Sequence, residues 1–346
     1  MNKRTRSMVG CLATLAFVGT LVAVAPVLGA DIQKPEDFPT SKIEWNLWYG
    51  PGGGTDIFAR TIGIPARRYL KPAPLVIVNI PGAAGANGMI YTMEQPADGY
   101  TITSIGNDLP INVVQERAKF DGRPLTIDDF EPIIRCQYDT ATLQVNPNKC
   151  KSRGEPFKDV EDLVDFAKKN PNSLIIGITG SAGVDEVVTS MWLDAAGITA
   201  KLVPYDSAGK CHAALLGGHV DVMFEEFGPT VSLLEQGQLK ALLVFKENRV
   251  EDSRFADVPC SVEKGWDVTL GRWRGIGAKK GTPADRIEYL HQVFKKSMEH
   301  PVYKNLEKAN LLDIRPGYMG PEDLKIEIRK ERDMFEKVLK KLGYIK

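Results

Sequence analysis

The residues of this chain best suited to chemistry are glycine loops that follow apolar strands and open helices, and the chemistry they suit is anion binding. Residues Ile43 to Tyr49 read as a strand that runs into Gly50-Pro51-Gly52-Gly53-Gly54, after which Thr55 and Asp56 start a helix. Glycines let a backbone approach a ligand closely. A helix starting there points free N–H groups and a partial positive charge at the loop, so an anion is held without a lysine. The arrangement recurs at residues 78–90, around Pro81-Gly82-Ala83-Ala84-Gly85, and at 176–186, around Thr179-Gly180-Ser181-Ala182-Gly183. Three such loops at strand C-termini suit a carboxylate, because open α/β sheets bind ligands there.

Other chemistries fit the same residues poorly. A nucleotide-binding loop needs Lys and Ser/Thr after its last glycine, whereas Thr55-Asp56 follow Gly54 and Asp56 repels a phosphate. No G-x-G-x-x-G stands at 50–54. His212, His219, His291 and His300 form no H-x-x-x-H or H-E-x-x-H, so no metal site is expected. His212 and His219 straddle a glycine turn and read as surface or satisfied residues. Ser181 lacks the G-x-S-x-G spacing of a nucleophile elbow and reads as a hydrogen-bond donor to a ligand. No catalytic residue and no cofactor are expected. The plainer alternative is that the glycines only make tight turns.

The elements that must position these loops alternate strand and helix, which gives an α/β fold with largely parallel sheets. Leu75 to Ile80, Tyr100 to Ile105, Leu174 to Ile178, Lys201 to Pro204, His219 to Phe224 and Lys240 to Phe245 read as strands. Helices are expected after the first two glycine loops, at Asp159 to Lys169, and at Val184 to Ala196 with Gly197 just past its end. Ala284 to Glu299 has helical spacing of Ile287, Leu290, His291 and Phe294. A charged terminal helix starts at Pro321 with an expected packing stripe of Ile326, Met334, Val338 and Leu342.

Lys3, Arg4 and Arg6 precede an apolar run from Met8 to Leu28, so residues 1–30 read as a secretory signal peptide cleaved after Ala30. The site after Ala23-Val24-Ala25 would leave Pro26 next to the cut, and an uncleaved anchor is the alternative. The 44 acidic and 44 basic residues balance, and loss of the three leader charges tips the exported chain to about −3. That balance gives no electrostatic reason for a nucleic-acid partner. The length beyond the leader suits two domains. Cys136, Cys150, Cys211 and Cys260 contain no C-x-x-C; an oxidising compartment permits disulfides, and their pairing stays open.

Six segments in order resemble the periplasmic substrate-binding proteins of tripartite tricarboxylate transporters, the Bug-type receptors. They are PGGGTDIFAR (51–60), NIPGAAGANG (79–88), ADGYT (97–101), VPYDSAG (203–209), LLGGHVDVMF (215–224) and WRGIGAKKGTP (273–283). The resemblance implies a two-lobed flytrap, each lobe a mostly parallel sheet flanked by helices. Residues 31–138 and 262–346 would form lobe one and 139–261 lobe two. It also implies a small mono- or dicarboxylate or an aromatic acid between the lobes, membrane subunits of a secondary transporter as partners, and a monomeric receptor. Carried onto this chain, the ligand-binding positions are Tyr49, Gly52, Gly53, Gly54, Thr55 and Asp56, then Ala83, Ala84 and Gly85, then Gly180, Ser181, Ala182 and Tyr205. Asp56 either caps its helix or touches ligand, and Trp273 either walls the cleft or packs against the hinge. Arg60 reads as an ion-pair partner, and Asp221 as ordering its turn.

Two departures bear on the ligand. Many relatives have Lys-Gly after the Pro-Tyr, where this chain has Asp206-Ser207, and many have an early His where it has Val184-Asp185-Glu186. Acids there either cap helices or face the cleft; facing it, they disfavour a second carboxylate and favour a hydroxyl, amine or cation. A periplasmic ligand-sensing subunit is the alternative function, and a two-lobed hydrolase or transferase a third, for which no base–nucleophile pair stands out.

Overall fold

The computed structural model describes residues 32–346, and the expected signal peptide lies outside the described residues. The chain from Gln33 to Lys346 forms one compact unit. Its first part runs β1 (Ile43–Leu47), α1 (Gly54–Tyr69), β2 (Leu75–Asn79), α2 (Ala86–Glu94), β3 (Thr101–Gly106) and α3 (Asp108–Val114). A small hairpin, β4 (Lys119–Phe120) and β5 (Arg123–Pro124), leads to the long strand β6 (Phe130–Tyr138). The second part runs β7 (Ala141–Val145), α4 (Val160–Lys169), β8 (Ile175–Thr179), α5 (Val184–Ala196), β9 (Lys201–Tyr205), α6 (Ala208–Gly217), β10 (Val222–Glu226), α7 (Phe227–Glu235) and β11 (Lys240–Val244). The chain then returns through β12 (Trp273–Lys279) to α8 (Ala284–Met298), α9 (Pro301–Ala309) and α10 (Pro321–Lys341).

The strands make two five-stranded sheets, in the orders β2-β1-β3-β12-β6 and β11-β7-β10-β8-β9. Each has a parallel half and an antiparallel half. In the first, β1 pairs in parallel with β2 and β3, and β12 runs antiparallel to β3 and β6. In the second, β8 pairs in parallel with β9 and β10, and β7 runs antiparallel to β10 and β11. The parallel halves hold the glycine loops. The antiparallel halves exist because the chain crosses between sheets: β6 passes into β7 through Asp139 and Thr140, and the chain leaves β11 to rejoin the first sheet as β12. The protein is therefore a two-lobed α/β fold.

Each sheet is held by apolar packing on its helices. Trp45 of β1 lies edge-on to Phe58 of α1 and Phe294 of α8, all fully buried. In the second lobe Ile176 and Ile178 of β8 pack with Val187, Val188 and Trp192 of α5. Gly197 takes a left-handed φ of 65° and ends α5 where the sequence places a C-terminal glycine.

The terminal helix corrects an expectation. Its buried face is Leu324, Ile328, Glu331, Phe335 and Leu339; of the expected stripe, Met334 and Val338 pack at the edge of the second-lobe core, while Ile326 and Leu342 are exposed. The spacing of the buried set keeps one face inward over about four turns, and it carries the bulky Phe335. Leu324 and Ile328 join the first-lobe core, and Phe335 and Leu339 join the second, so α10 straps both lobes. Trp266, Val268 and Leu270, in the return connection, also pack against the second-lobe core.

All four described cysteines are free thiols. Cys150 lies beside Asp221, whose carboxylate accepts from the Ser152 amide (2.7 Å) and the Ile175 amide (2.8 Å). Asp221 thereby ties the loop after β7 to the start of β8. Among the described residues no helix is long and apolar enough to cross a membrane.

Candidate functional site

A cavity of about 470 Å³ opens between the two sheets, at the C-terminal ends of their parallel strands. Its wall takes Gly53, Gly54 and Thr55 from the start of α1, Ala84 from the second glycine loop, and Gly180, Ser181, Gly183 and Val184 from the third. The loops that the sequence singles out thus converge on one space. The amides of Gly53, Gly54 and Thr55 open α1, and those of Gly183 and Val184 open α5; no preceding helical turn accepts from them. Two helix N-termini therefore aim partial positive charge at the cavity.

The thirteen expected binding residues divide. Tyr49, Gly53, Gly54, Thr55, Ala84, Gly180 and Ser181 line the cavity. Gly52, Asp56, Ala83, Gly85, Ala182 and Tyr205 are outside its lining and shape the loops that do line it. Some loop amides are also used internally. The Gly52 amide donates to Asp56 (3.0 Å), the Gly180 amide to the Tyr205 carbonyl (2.9 Å) and the Ala182 amide to Glu186 (2.6 Å). Ala83, Ala84 and Ala182 sit at φ of 48°, 54° and 51°, a left-handed conformation that costs a non-glycine residue energy and concentrates at binding loops.

Asp56 is the clasp of the first loop. Its carboxylate accepts from Arg60 Nε (2.9 Å), Asn79 Nδ2 (3.0 Å) and the Gly52 amide (3.0 Å). Arg60 is thus the ion-pair partner expected from the sequence. The Arg60 hydrogen bonds, with help from Gly52 and Asn79, hold the Asp56 pKa down at about 2. A folded-state pKa below the unfolded value near 4 gives stability that is present above about pH 4 and is lost as pH falls through 2. Asp56→Asn is accordingly expected to lower the melting temperature at pH 6. The difference from wild type should narrow progressively as thermal melts are repeated from pH 4 toward pH 2.

The cavity also holds charged groups that the sequence reading did not single out as ligand contacts. Arg272, just before β12, donates to Asp185 of α5 (2.5 Å) and Glu226 at the end of β10 (3.1 Å), and lies 3.6 Å from Asp108 of α3. Arg274 pairs with Asp139 at the crossing between sheets, and its Nε has no partner among the described residues. Arg274 lies so close to α1 that a Cβ on Gly54 would stand 2.7 Å from its Nη2, so that glycine is required by the approach. Asp185, at the start of α5, faces the cleft, as does Asp206 at its rim. Asp206 is exposed and paired with Lys210 (2.6 Å).

Burial sets the ionisation of these groups. It pushes Glu225 well above the ordinary carboxylate range, with adjacent Glu226 adding to the effect, while burial pulls His212 down. The two meet at 2.6 Å as a neutral carboxyl–imidazole pair, which makes His212 a satisfied residue. Burial would also raise Glu226, but Arg272 and Arg274 outweigh it and hold the pKa low. Burial raises Tyr49, and the Asp108 carboxylate adds to it, so Tyr49 presents a neutral phenol to the cavity.

Arg117 differs from the other two arginines. It lines the cavity, and no carboxylate lies within ion-pair distance among the described residues. Its guanidinium is held by neutral acceptors: Gln115 Oε1 (2.8 Å), Asn112 Oδ1 (3.3 Å) and the carbonyls of Ser181 (3.4 Å) and Ala182 (3.3 Å). Trp273 both walls the cavity and packs inward, donating from Nε1 to Glu331 (2.8 Å). Glu331 also accepts from Asn107 (3.0 Å), and burial raises its pKa to about 8. Among the described residues no group of three or more His, Cys, Asp or Glu side chains is arranged to hold a metal ion.

Comparison with known proteins gives consistent results. The family model described as "Tripartite tricarboxylate transporter family receptor" (TctC) matches residues 59–344. A Cupriavidus necator protein, described as the UPF0065 protein in the gbd 5' region, is 28% identical over 309 residues, covering 88% of this chain and 90% of its own. The crystal structure of a TctC solute-binding protein from Polaromonas, with no ligand, matches with a TM-score of 0.72 at 25% identity, over 88% of this chain and 99% of that one. MatC from Rhodopseudomonas palustris, with bound malate, shares the fold with a TM-score of 0.71 at 21% identity, over 87% of this chain and 100% of that one.

Proposed function

Because the chain belongs to the tripartite tricarboxylate transporter receptor family, we propose that it is a periplasmic receptor that closes two lobes on one small carboxylate and delivers it to the membrane subunits of a secondary transporter. The observation that carries this reading is the inter-sheet cavity, where an arginine without a carboxylate partner and two helix N-termini converge. Anion binding at such a place needs no covalent chemistry, so the protein acts by binding and release rather than catalysis. Ser181 supports that view: its Oγ has Glu186 Oε2 at 3.5 Å, too long for an activating hydrogen bond.

The lobes are assigned as residues 31–138 with 262–346, and 139–261; the allocation of strands to sheets supports this division, with Trp266, Val268 and Leu270 reaching across onto the second-lobe core. The hinge is then the pair of crossings, at Asp139–Thr140 and through the segment before β12, with α10 as a strap between lobes. Closure about such crossings commits the ligand and creates the form that membrane partners recognise. The receptor works as a monomer with one site per chain, after removal of the leader.

A ligand that binds only the native state stabilises it, by about 2.7 kcal/mol at a hundred times its Kd. Thermal unfolding of the exported chain is expected to shift upward by several degrees with at least one acid from a panel of C3 to C8 mono-, di- and aminocarboxylates, malate and aromatic acids. No shift with any of them would sink the carboxylate reading. Mass spectrometry of the natively purified protein gives an independent check, through the mass of the co-purifying ligand.

A further inference from the structure

Charge is distributed unevenly over the cavity. Four carboxylates share two guanidinium groups at one wall: Asp108, Asp185 and Glu226 gather on Arg272 in the lining, and Asp139, buried behind it, pairs with Arg274. Two positive charges cannot neutralise four negative ones, so this wall keeps a net negative charge where little water screens it. Glu225, 4% exposed and paired as a neutral carboxyl with His212, adds no charge to this wall. Arg117 brings a positive charge to the same space; its hydrogen bonds go to neutral acceptors, and the nearby Asp108 carboxylate acts on it without forming an ion pair.

A site with one uncompensated cation and one uncompensated anionic wall matches a ligand that carries both charges. It mismatches a dianion, whose second carboxylate would meet the acidic wall at a cost of several kcal/mol. An ammonium brings three donors and no acceptor, which suits a group of carboxylates that can only accept.

We propose that the ligand is an aminocarboxylate, its carboxylate taken by Arg117 and the helix N-termini and its ammonium lying against Asp108, Asp185 and Glu226. The inference rests on the carboxylate-receptor reading and narrows it. Asp185 contributes by position: it opens α5 yet turns to Arg272 and the cavity.

The test is calorimetric titration of the exported chain with pairs of equal skeleton in which an ammonium replaces one carboxylate: succinate and 3-aminopropanoate, glutarate and 4-aminobutanoate, adipate and 5-aminopentanoate. The amino member of the best-binding pair is expected to bind at least about tenfold tighter. In Asp185→Asn and in Asp108→Asn, each isosteric, that ratio is expected to fall toward one while affinity for the matching unsubstituted monocarboxylate stays within about twofold. Two variants are used so that one that fails to fold leaves the other decisive. A dicarboxylate that equals or beats its amino partner overturns the inference and leaves the carboxylate receptor standing. A preference unchanged in the folded variants overturns the assignment to this wall. Failure of every ligand in all pairs, and of the wider acid panel, removes the carboxylate reading itself.

Discussion

Arg272→Ala is expected to lower folding stability by about 3 kcal/mol at pH 7, the largest effect of any single truncation at the site. The cost comes from what remains. Asp185 and Glu226 have side chains only 6% and 8% exposed, and both lose the cation that donates to them. A buried carboxylate without a partner must keep an unscreened charge or take up a proton, and either costs free energy. Burial already lifts Asp185 to about pKa 6 against the pull of Arg272, and losing the guanidinium removes the main opposing influence. A folded pKa above the unfolded value means that the native state binds more protons, so stability falls as pH rises through that window. In the variant the window extends further toward neutrality. The defect should therefore be larger at pH 7.5 than at pH 5, measured by urea unfolding at both. Arg272→Lys keeps the charge but not a fork that reaches several carboxylates, and should recover only part of the loss. In an Asp185→Asn background the same truncation should cost less, because one stranded charge is already gone. A loss under 1 kcal/mol at pH 7.5, with no dependence on Asp185, would show that this network does not hold the lobes together.

The same network shows where sequence reading stops. The three glycine loops were legible because each is local: an apolar strand, a run of small residues and a helix start within some fifteen residues. That pattern fixed the fold class and placed Gly53, Gly54, Thr55, Gly180 and Ser181 on one cavity, since parallel strands deliver their C-terminal loops to the same edge. The six ordered segments led to the family that the match over 59–344 establishes. The charged wall had no such signature. Arg272 is separated by 87 positions from Asp185 and by 46 from Glu226, and Arg274 by 135 from Asp139. Only the crossing of strands between sheets brings them together, and antiparallel pairing of β12 with β3 and β6 leaves no mark in local periodicity. Two weak signals were available. Arg272 and Arg274 alternate about Trp273, which puts both on one face at the mouth of a strand. Glu225 and Glu226 end an apolar strand at the edge where ligands bind, where a pair of acids with no exposed role is unusual. On the terminal helix the apolar spacing points to a stripe of which Met334 and Val338 pack at the core's edge, whereas the buried face is centred one position away on Leu324, Ile328 and Phe335, leaving Ile326 and Leu342 exposed.

Arg117→Ala is expected to weaken carboxylate binding by about 2–4 kcal/mol, roughly 30- to 1,000-fold in Kd, while leaving the fold intact. The two halves of that expectation have one cause. Arg117 is half-buried, and desolvation disfavours its charge, lowering its pKa without bringing it near neutral pH. Its hydrogen bonds go to an amide oxygen at each of Gln115 and Asn112 and to two main-chain carbonyls, none of which supplies a countercharge. Those neutral acceptors fix the guanidinium in place without neutralising it, so an arriving carboxylate meets a cation already oriented and already stripped of much of its water. Preorganisation of this kind raises affinity by removing the ordering cost from the binding step. Truncation then takes away the ligand's partner but strands no charge in the protein, unlike Arg272→Ala. Thermal melts without ligand should move by no more than a degree or two, whereas calorimetry with the best-binding acid should show the loss of affinity. Arg117→Lys separates charge from geometry: an ammonium keeps the sign but not the planar fork, so it should recover part of the affinity and bind with a steeper dependence on salt. If Arg117→Ala binds the same acid within about threefold of wild type, the anion is seated elsewhere in the cavity. The Arg274 Nε beside the N-terminus of α1 is then the donor to remove next.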